Sequence, residues 1–470
     1  MFHPATPLSE LQAKVRAQKT LNPRLYGGVD FEIVPERFTR DVHVRSQLPS
    51  DIASKRRAEI LANGEKVDRQ LAYTMLGDVV ADPYAALIPD YGFRRLVDML
   101  VLACEKGVDA VPGAPPELER FIASMETLPD WIDPALSARG ARAGRVSMAI
   151  LVPFMIRGAF IATFMNKYSG LPMALTGALS NTSSVQRVKE TASFFTTATL
   201  PGALSRFGPG FRAAAMVRLM HSMVRANLLM RAGRWDVPTY GIPIPQIDQM
   251  PAGTMPAAMS AFRCVREKRG FTKRERAIVE LCRHQCFLLG IPGELLHDTP
   301  RSIFDAMMLY SSTLRDGYDD ETNGELVRAT MAAYLPSDRS LGSRVRDVVE
   351  RSVSKVFFKT AFRVPDDKAR QMGVVPGRLD YAIFTAFQAY AVPTVVAHAM
   401  FARLPVIDGI ADHFLVERIN RLLVDYGHAE YTTDPAKYRA STHRGASAPH
   451  ALHPTALHEV AYSGTYPPDK

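Results

Sequence analysis

The chain has 470 residues, with 57 Lys and Arg against 48 Asp and Glu, for a net charge of +9. Its 47% hydrophobic and 22% charged content is that of a folded protein with a large core and excludes a disordered one. The basic residues are scattered through helical patterns without a stripe or a reading module, which argues against nucleic-acid binding; such diffuse charge suits an anionic lipid surface better, with solvated helix faces as the default.

The N-terminus, MFHPATPLSELQAKV, has neither a basic segment followed by an apolar core nor a twin arginine, so the expectation is a cytoplasmic protein without an export signal. Residues 1–50 are Pro-rich and read as an arm with one helix near 8–19. From 51 the pattern is helical, and β-type alternation is scarce. The stretches 94–107 and 115–128 are amphipathic, the second with proline in its first turn. The expected fold is all-α, one large helical domain over 51–430 with a pocket between central helices, globin-like in general character. Residues 431–470, rich in Thr, Ser, Ala, Pro and His without periodicity, read as an extended tail whose His443, His450, His453 and His458 are solvated.

The most apolar stretch, VSMAILVPFMIRGAFIATF (146–164), is 19 residues long, barely enough to span a bilayer. Arg157 near its middle and the kink expected at Pro153 favour a buried central helix over a span. A position in the membrane interface stays open, because apolar substrates are found there.

A helix over 182–200 follows. Arg187 and Thr191 stand at i and i+4, and Phe194 and Phe195 extend the same side. These donors over an aromatic floor suit bound O2; the alternative is a core helix whose threonine bonds back to its own backbone. In VRLMHSMVRANLL (217–229) His221 sits on an apolar helix face, with Arg218 three residues before it and Arg225 four after. An imidazole between two guanidinium groups has the chemistry of a haem's proximal side, the ring on iron and the arginines on the propionates. A hydrogen-bonded core histidine with arginines at the helix rim is the competing reading.

Helices continue over 254–400, one of them stopping at Gly290. Cys282, His284 and Cys286 form a C-x-H-x-C run, but on a helix only the two cysteines share a face, and two ligands do not complete a zinc site. With Cys104 and Cys264 they are expected to be buried thiols, too few for a disulfide scaffold. The chain lacks CxxCH, so haem would be held without a thioether bond. His398, in the apolar stretch 387–405, rivals His221 as an iron ligand but lacks flanking arginines.

Several of these segments, in order and spacing, resemble the rubber oxygenase (latex clearing protein) and mycophenolic acid oxygenase family. They are GLPMALTGALSN (170–181), RVKET (187–191), the RLMH helix, WDVPTYGIPIPQID (235–248) and FLLGIPGELL (287–296). The resemblance covers roughly 140–300. It implies a helical fold holding non-covalent haem b that uses O2 to cleave a carbon–carbon double bond in an apolar isoprenoid or lipid chain. It further implies that His221 is the iron ligand, with Arg225 one turn on, and that Arg187 and Thr191 lie on the distal side. The rubber enzyme's distal lysine matches Glu190 here, with Lys189 one residue off and about 100° away on the helix. Glu190 is expected to act as a base. A non-catalytic haem or lipid-binding protein is the alternative, and a membrane scaffold without cofactor a third reading.

Overall fold

A computed structural model describes residues 6–48, 54–175, 181–231, 233–401 and 404–426. The tail expected from 431 lies outside them. Among the described residues there are helices and two isolated antiparallel bridges, Phe38 with Leu314 and Ser46 with Arg315, but no strand.

The helices that build the site are, in chain order, α1 (Leu8–Leu21), α2 (Gly64–Thr74), α3 (Ala81–Ala85), α4 (Phe93–Lys106) and α5 (Pro116–Glu126). Then come α6 (Pro134–Ile150), α7 (Val152–Ala162), α8 (Asn181–Thr197), α9 (Pro209–Leu229), α10 (Gln246–Gly253), α11 (Met255–Arg266) and α12 (Lys273–Leu288). The series ends with α13 (Pro300–Thr313), α14 (Glu325–Ala332), α15 (Leu341–Ala361), α16 (Arg378–Phe401) and α17 (Pro405–Tyr426).

Of the first fifty residues, the described ones, 6–48, pack against the helices that follow. Leu11, Val15, Leu25, Tyr26 and Val29 are buried in the principal core with residues of α4, α5 and α9. Composition misleads here because the prolines punctuate short elements whose apolar side chains still fall on one side. The segment is also laced to the end of α13: Thr39 N–H donates to the Thr313 carbonyl at 2.8 Å, and Gln47 N–H to that of Leu314 at 2.9 Å.

The apolar stretch 146–164 is two helices, not one. α6 and α7 meet at Leu151 with a bend of 95°, and Pro153 occupies the first turn of α7, where its missing N–H costs nothing. Gly140 and Gly158 fix how both halves pack. A Cβ on Gly140 would meet the Ala277 carbonyl of α12 at 2.0 Å, and one on Gly158 the Ser354 carbonyl of α15 at 2.4 Å, so both positions require glycine.

Arg157, fully buried, donates to Glu350 at 2.7 Å and to the carbonyls of Thr330 at 2.5 Å and Ala333 at 2.8 Å. It satisfies the carbonyls left open at the end of α14. The charge that would oppose membrane insertion is the bolt between α7, α14 and α15.

Candidate active site

α9 carries two faces that divide at His221. Taking 100° per residue, Val217, Met220 and Val224 lie on one side of it and Arg218, Ser222 and Arg225 on the other. The first set, with His221, lines a cavity of about 1960 Å³. Ordinary ligand pockets run to about 300–1,000 Å³, so this one has room for a macrocycle and an extended chain together.

The second face is spent on buried ion pairs. Arg218 grips Asp78 through two bonds, at 2.5 and 2.9 Å, and lies over the Phe121 ring. Arg225 donates to Asp82 at 2.8 Å, to the Ile244 carbonyl at 2.6 Å and to Ser222 at 3.0 Å. Tyr26 donates to the other oxygen of Asp82 at 2.5 Å. Burial pushes the Asp82 carboxyl up; Asp78 is also buried, yet Arg218 holds it below the usual range. Neither arginine lines the cavity, and both are engaged by aspartates. Three- and four-residue spacing puts them near His221 in angle, but the face changes hands within that arc.

His221 itself is half-buried and neutral, its pKa lowered to about 4 by desolvation and by the charges of Arg225 and Arg187. Its Nδ1 lies 2.9 Å from Oε1 of Gln249, whose amide nitrogen in turn donates to Oε1 of Gln246 at 3.1 Å. With an amide oxygen as partner, Nδ1 carries the proton and Nε2 keeps the lone pair, the state in which imidazole binds a metal. The segment bearing these glutamines is tied back to α9 at Ile244. This β-branched residue has φ 46°, a strained conformation, and its carbonyl is the one that Arg225 holds. Arg225 is thus a positioning residue for the Gln249 segment.

α8 supplies the facing wall. Arg187, Glu190, Thr191, Phe194 and Phe195 all line the cavity, the two phenylalanines edge to face at 5.0 Å. Gln186 on the same helix donates to Glu190 at 2.9 Å. Lys189 turns away and donates to the Asp425 carbonyl of α17 at 3.1 Å. Four side chains singled out in the sequence, Arg187, Glu190, Thr191 and His221, therefore meet on one cavity, and Arg218 and Arg225 do not.

His398 is on α16, away from the cavity lining. Cys104, Cys264, Cys282 and Cys286 are buried free thiols, and burial pushes Cys282 up to about 12. No cluster of three metal-ligating side chains occurs among the described residues. A haem iron needs only one protein ligand on its proximal side. His221 meets that need with a fixed tautomer and apolar neighbours, so the residues present fit the group.

Residues 145–393, more than half of the chain, match the catalytic domain of the ER-bound oxygenase mpaB/B'/rubber oxygenase family. The chain belongs to this family. The structure of latex clearing protein in its closed state is similar in fold, with a TM-score of 0.52 and 17% identity over 75% of this chain and 91% of that one. No curated protein matches the sequence at a significant level. In this mpaB/rubber oxygenase chain the sequence reading missed Gln249, Asp78 and Asp82. Gln246 and Gln249, one helical turn apart after the PIP segment, were the only visible sign of the amide pair. The aspartates had none, being 140 and 143 residues from their arginines.

Proposed function

We propose that the protein is a haem b-dependent oxygenase that cleaves a carbon–carbon double bond in an apolar isoprenoid or lipid chain, consuming O2 and yielding two carbonyl products. The observation that carries the proposal is His221: a neutral, tautomer-fixed imidazole on the wall of a cavity large enough for both haem and substrate. Membership of the oxygenase family supports it.

When bound, haem would supply the activation of O2 and its addition to the alkene; the protein orients the partners and keeps water out. His221 Nε2 would hold the iron, and Gln249 keeps the proton on Nδ1. Arg187 and Thr191 place a guanidinium and a hydroxyl on the α8 wall, where negative charge developing on oxygen would be met by donors already in position. Glu190 is the carboxylate on that wall able to take or return a proton at its Oε atoms. Phe194, Phe195, Met220 and Val224 form the apolar surface along which a hydrocarbon chain lies.

The test is uptake of haemin, about one per chain, read by a Soret band and a pyridine haemochrome assay, followed by O2 consumption with a polyisoprenoid and detection of carbonyl products. Acidic organic solvent should extract the haem, since no thioether bond holds it. A protein that takes up no haemin would refute the cofactor. One that binds haem without turnover would favour storage or sensing.

A further inference from the structure

The described residues contain one helix long and apolar enough to cross a membrane, and only 11% of its apolar window is buried. That helix is α16. From Tyr381 to Phe401 it has no Asp, Glu, Lys or Arg. One side is held by the protein: Phe387 and Ala391 are buried with Val353 of α15, and the Phe387 ring lies 4.9 Å from that of Phe154. The other side leaves Tyr390, Val392, Val396, Met400 and Phe401 exposed, and α17 adds Ile410 and Phe414.

We infer that this α16–α17 face is a docking surface for a lipid bilayer, lying in the interface rather than spanning it. The held side rules out a free span, while a helix of 24 residues, about 36 Å long, presents a continuous face for insertion. The exposed face is chemically suited to hydrocarbon rather than to a second protein. Thr385 and Thr394 turn their hydroxyls back to the carbonyls of Tyr381 and Tyr390, at 2.9 and 2.7 Å. Hydroxyls satisfied within their own helix suit a medium that offers no hydrogen bonds, whereas a protein interface carries about one direct bond per 100–200 Å². Gln388, His398 and the tyrosine hydroxyls are the main polar groups left on α16, and on α17 the charged Glu417 is paired with His413 and Arg421; tyrosine favours the headgroup level.

Charge agrees. Arg378 precedes the neutral run and Arg403 follows it in sequence. The nearest acids are neutralised within the protein, Asp380 by Lys355 at 3.5 Å and Asp408 by Arg142 at 2.8 Å. Exposed Arg378 is thus left to meet anionic headgroups.

The experiment is flotation of the full chain with vesicles of phosphatidylcholine containing a minor share of phosphatidylglycerol. The wild type should rise with the vesicles, and Val396→Glu with Met400→Glu should lower the bound fraction by roughly tenfold or more, as expected for charges placed in the apolar layer. Both side chains are exposed, so the circular dichroism and the melting temperature should not change. A second variant, Val396→Trp, should shift its fluorescence to the blue on vesicles and be quenched by brominated lipid. A wild type that stays at the bottom of the gradient, or a double glutamate variant that floats as well as it does, overturns the proposal. A concentration-dependent dimer abolished by the same substitutions, without flotation, overturns it in favour of a second copy.

Discussion

Replacing Arg225 by methionine separates the two roles that this residue has been given. In the structure the guanidinium is fully buried and neutralises Asp82, itself without exposure. Met has a similar reach but leaves Asp82 uncompensated and frees the Ile244 carbonyl. Removing one partner of such a pair costs about 3–5 kcal/mol, since the other charge stays in a low-dielectric site. With an m-value of roughly 3 kcal/mol/M or more for a chain this long, the urea midpoint of the haem-free protein should fall by about 1 M. Adding Asp82→Asn removes the stranded charge and should recover a large part of the loss, a coupling that a double-mutant cycle reads directly. An unchanged urea midpoint in Arg225→Met, with haem binding alone weakened, would refute the reasoning and return the arginine to the propionates.

His221→Ala should abolish haemin uptake or alter the Soret spectrum grossly, whereas His398→Ala should leave both intact; the reverse would move the ligand to α16. Gln249→Leu removes the acceptor that fixes the His221 tautomer and should lower haem affinity by roughly 10–100-fold, measured by haemin titration. Arg187→Ala and Thr191→Ala should retain haem and lose about 10²–10³ in turnover, and Glu190→Gln should lose activity with little change in the ferric spectrum. Full activity in all three variants would show that the α8 wall is not the distal side. The folded pKa of His221, about 4, lies below its ordinary 6.5, so the unfolded chain binds the extra proton between those values. Stability of the haem-free protein should therefore be complete above about pH 6.5 and fall as pH drops towards 4, by up to about 3 kcal/mol from this residue. Urea midpoints across that range should vary less in His221→Gln.

What the sequence revealed follows the range over which its signals act. The 3.6-residue period places α8 and α9 and sets Arg187 beside Thr191 on one of them and His221 among apolar neighbours on the other, because those relations lie within two turns; that the two helices face one space, with Glu190 on it, was implied by the family resemblance alone. The rotation that sends Lys189 away from the cavity is legible for the same reason. Period does not say which neighbour owns which arc, and so it could not show that Asp78 and Asp82, from a distant part of the chain, hold Arg218 and Arg225. The membrane question was asked of 146–164, the most apolar run. Its burial could not be read locally, because Glu350 and the α14 carbonyls that receive Arg157 come from 173 to 193 residues away. α16, less apolar on average, is the helix that the fold leaves uncovered.

The lacing of residues 39–47 to the end of α13 has a consequence for biogenesis. The cavity takes walls from 42–48, from 304–318 and from 360–371. At about 5–20 residues per second, synthesis reaches the last of these roughly 15–65 seconds after the first. From the synthesis of Gln249 until that of residues 360–371, His221 and its glutamine relay lack one wall of the cavity. The walls are complete only when nearly four-fifths of the polypeptide has been made. Loading of any prosthetic group into the completed pocket is thereby a late event, and its timing is written into the order of the walls.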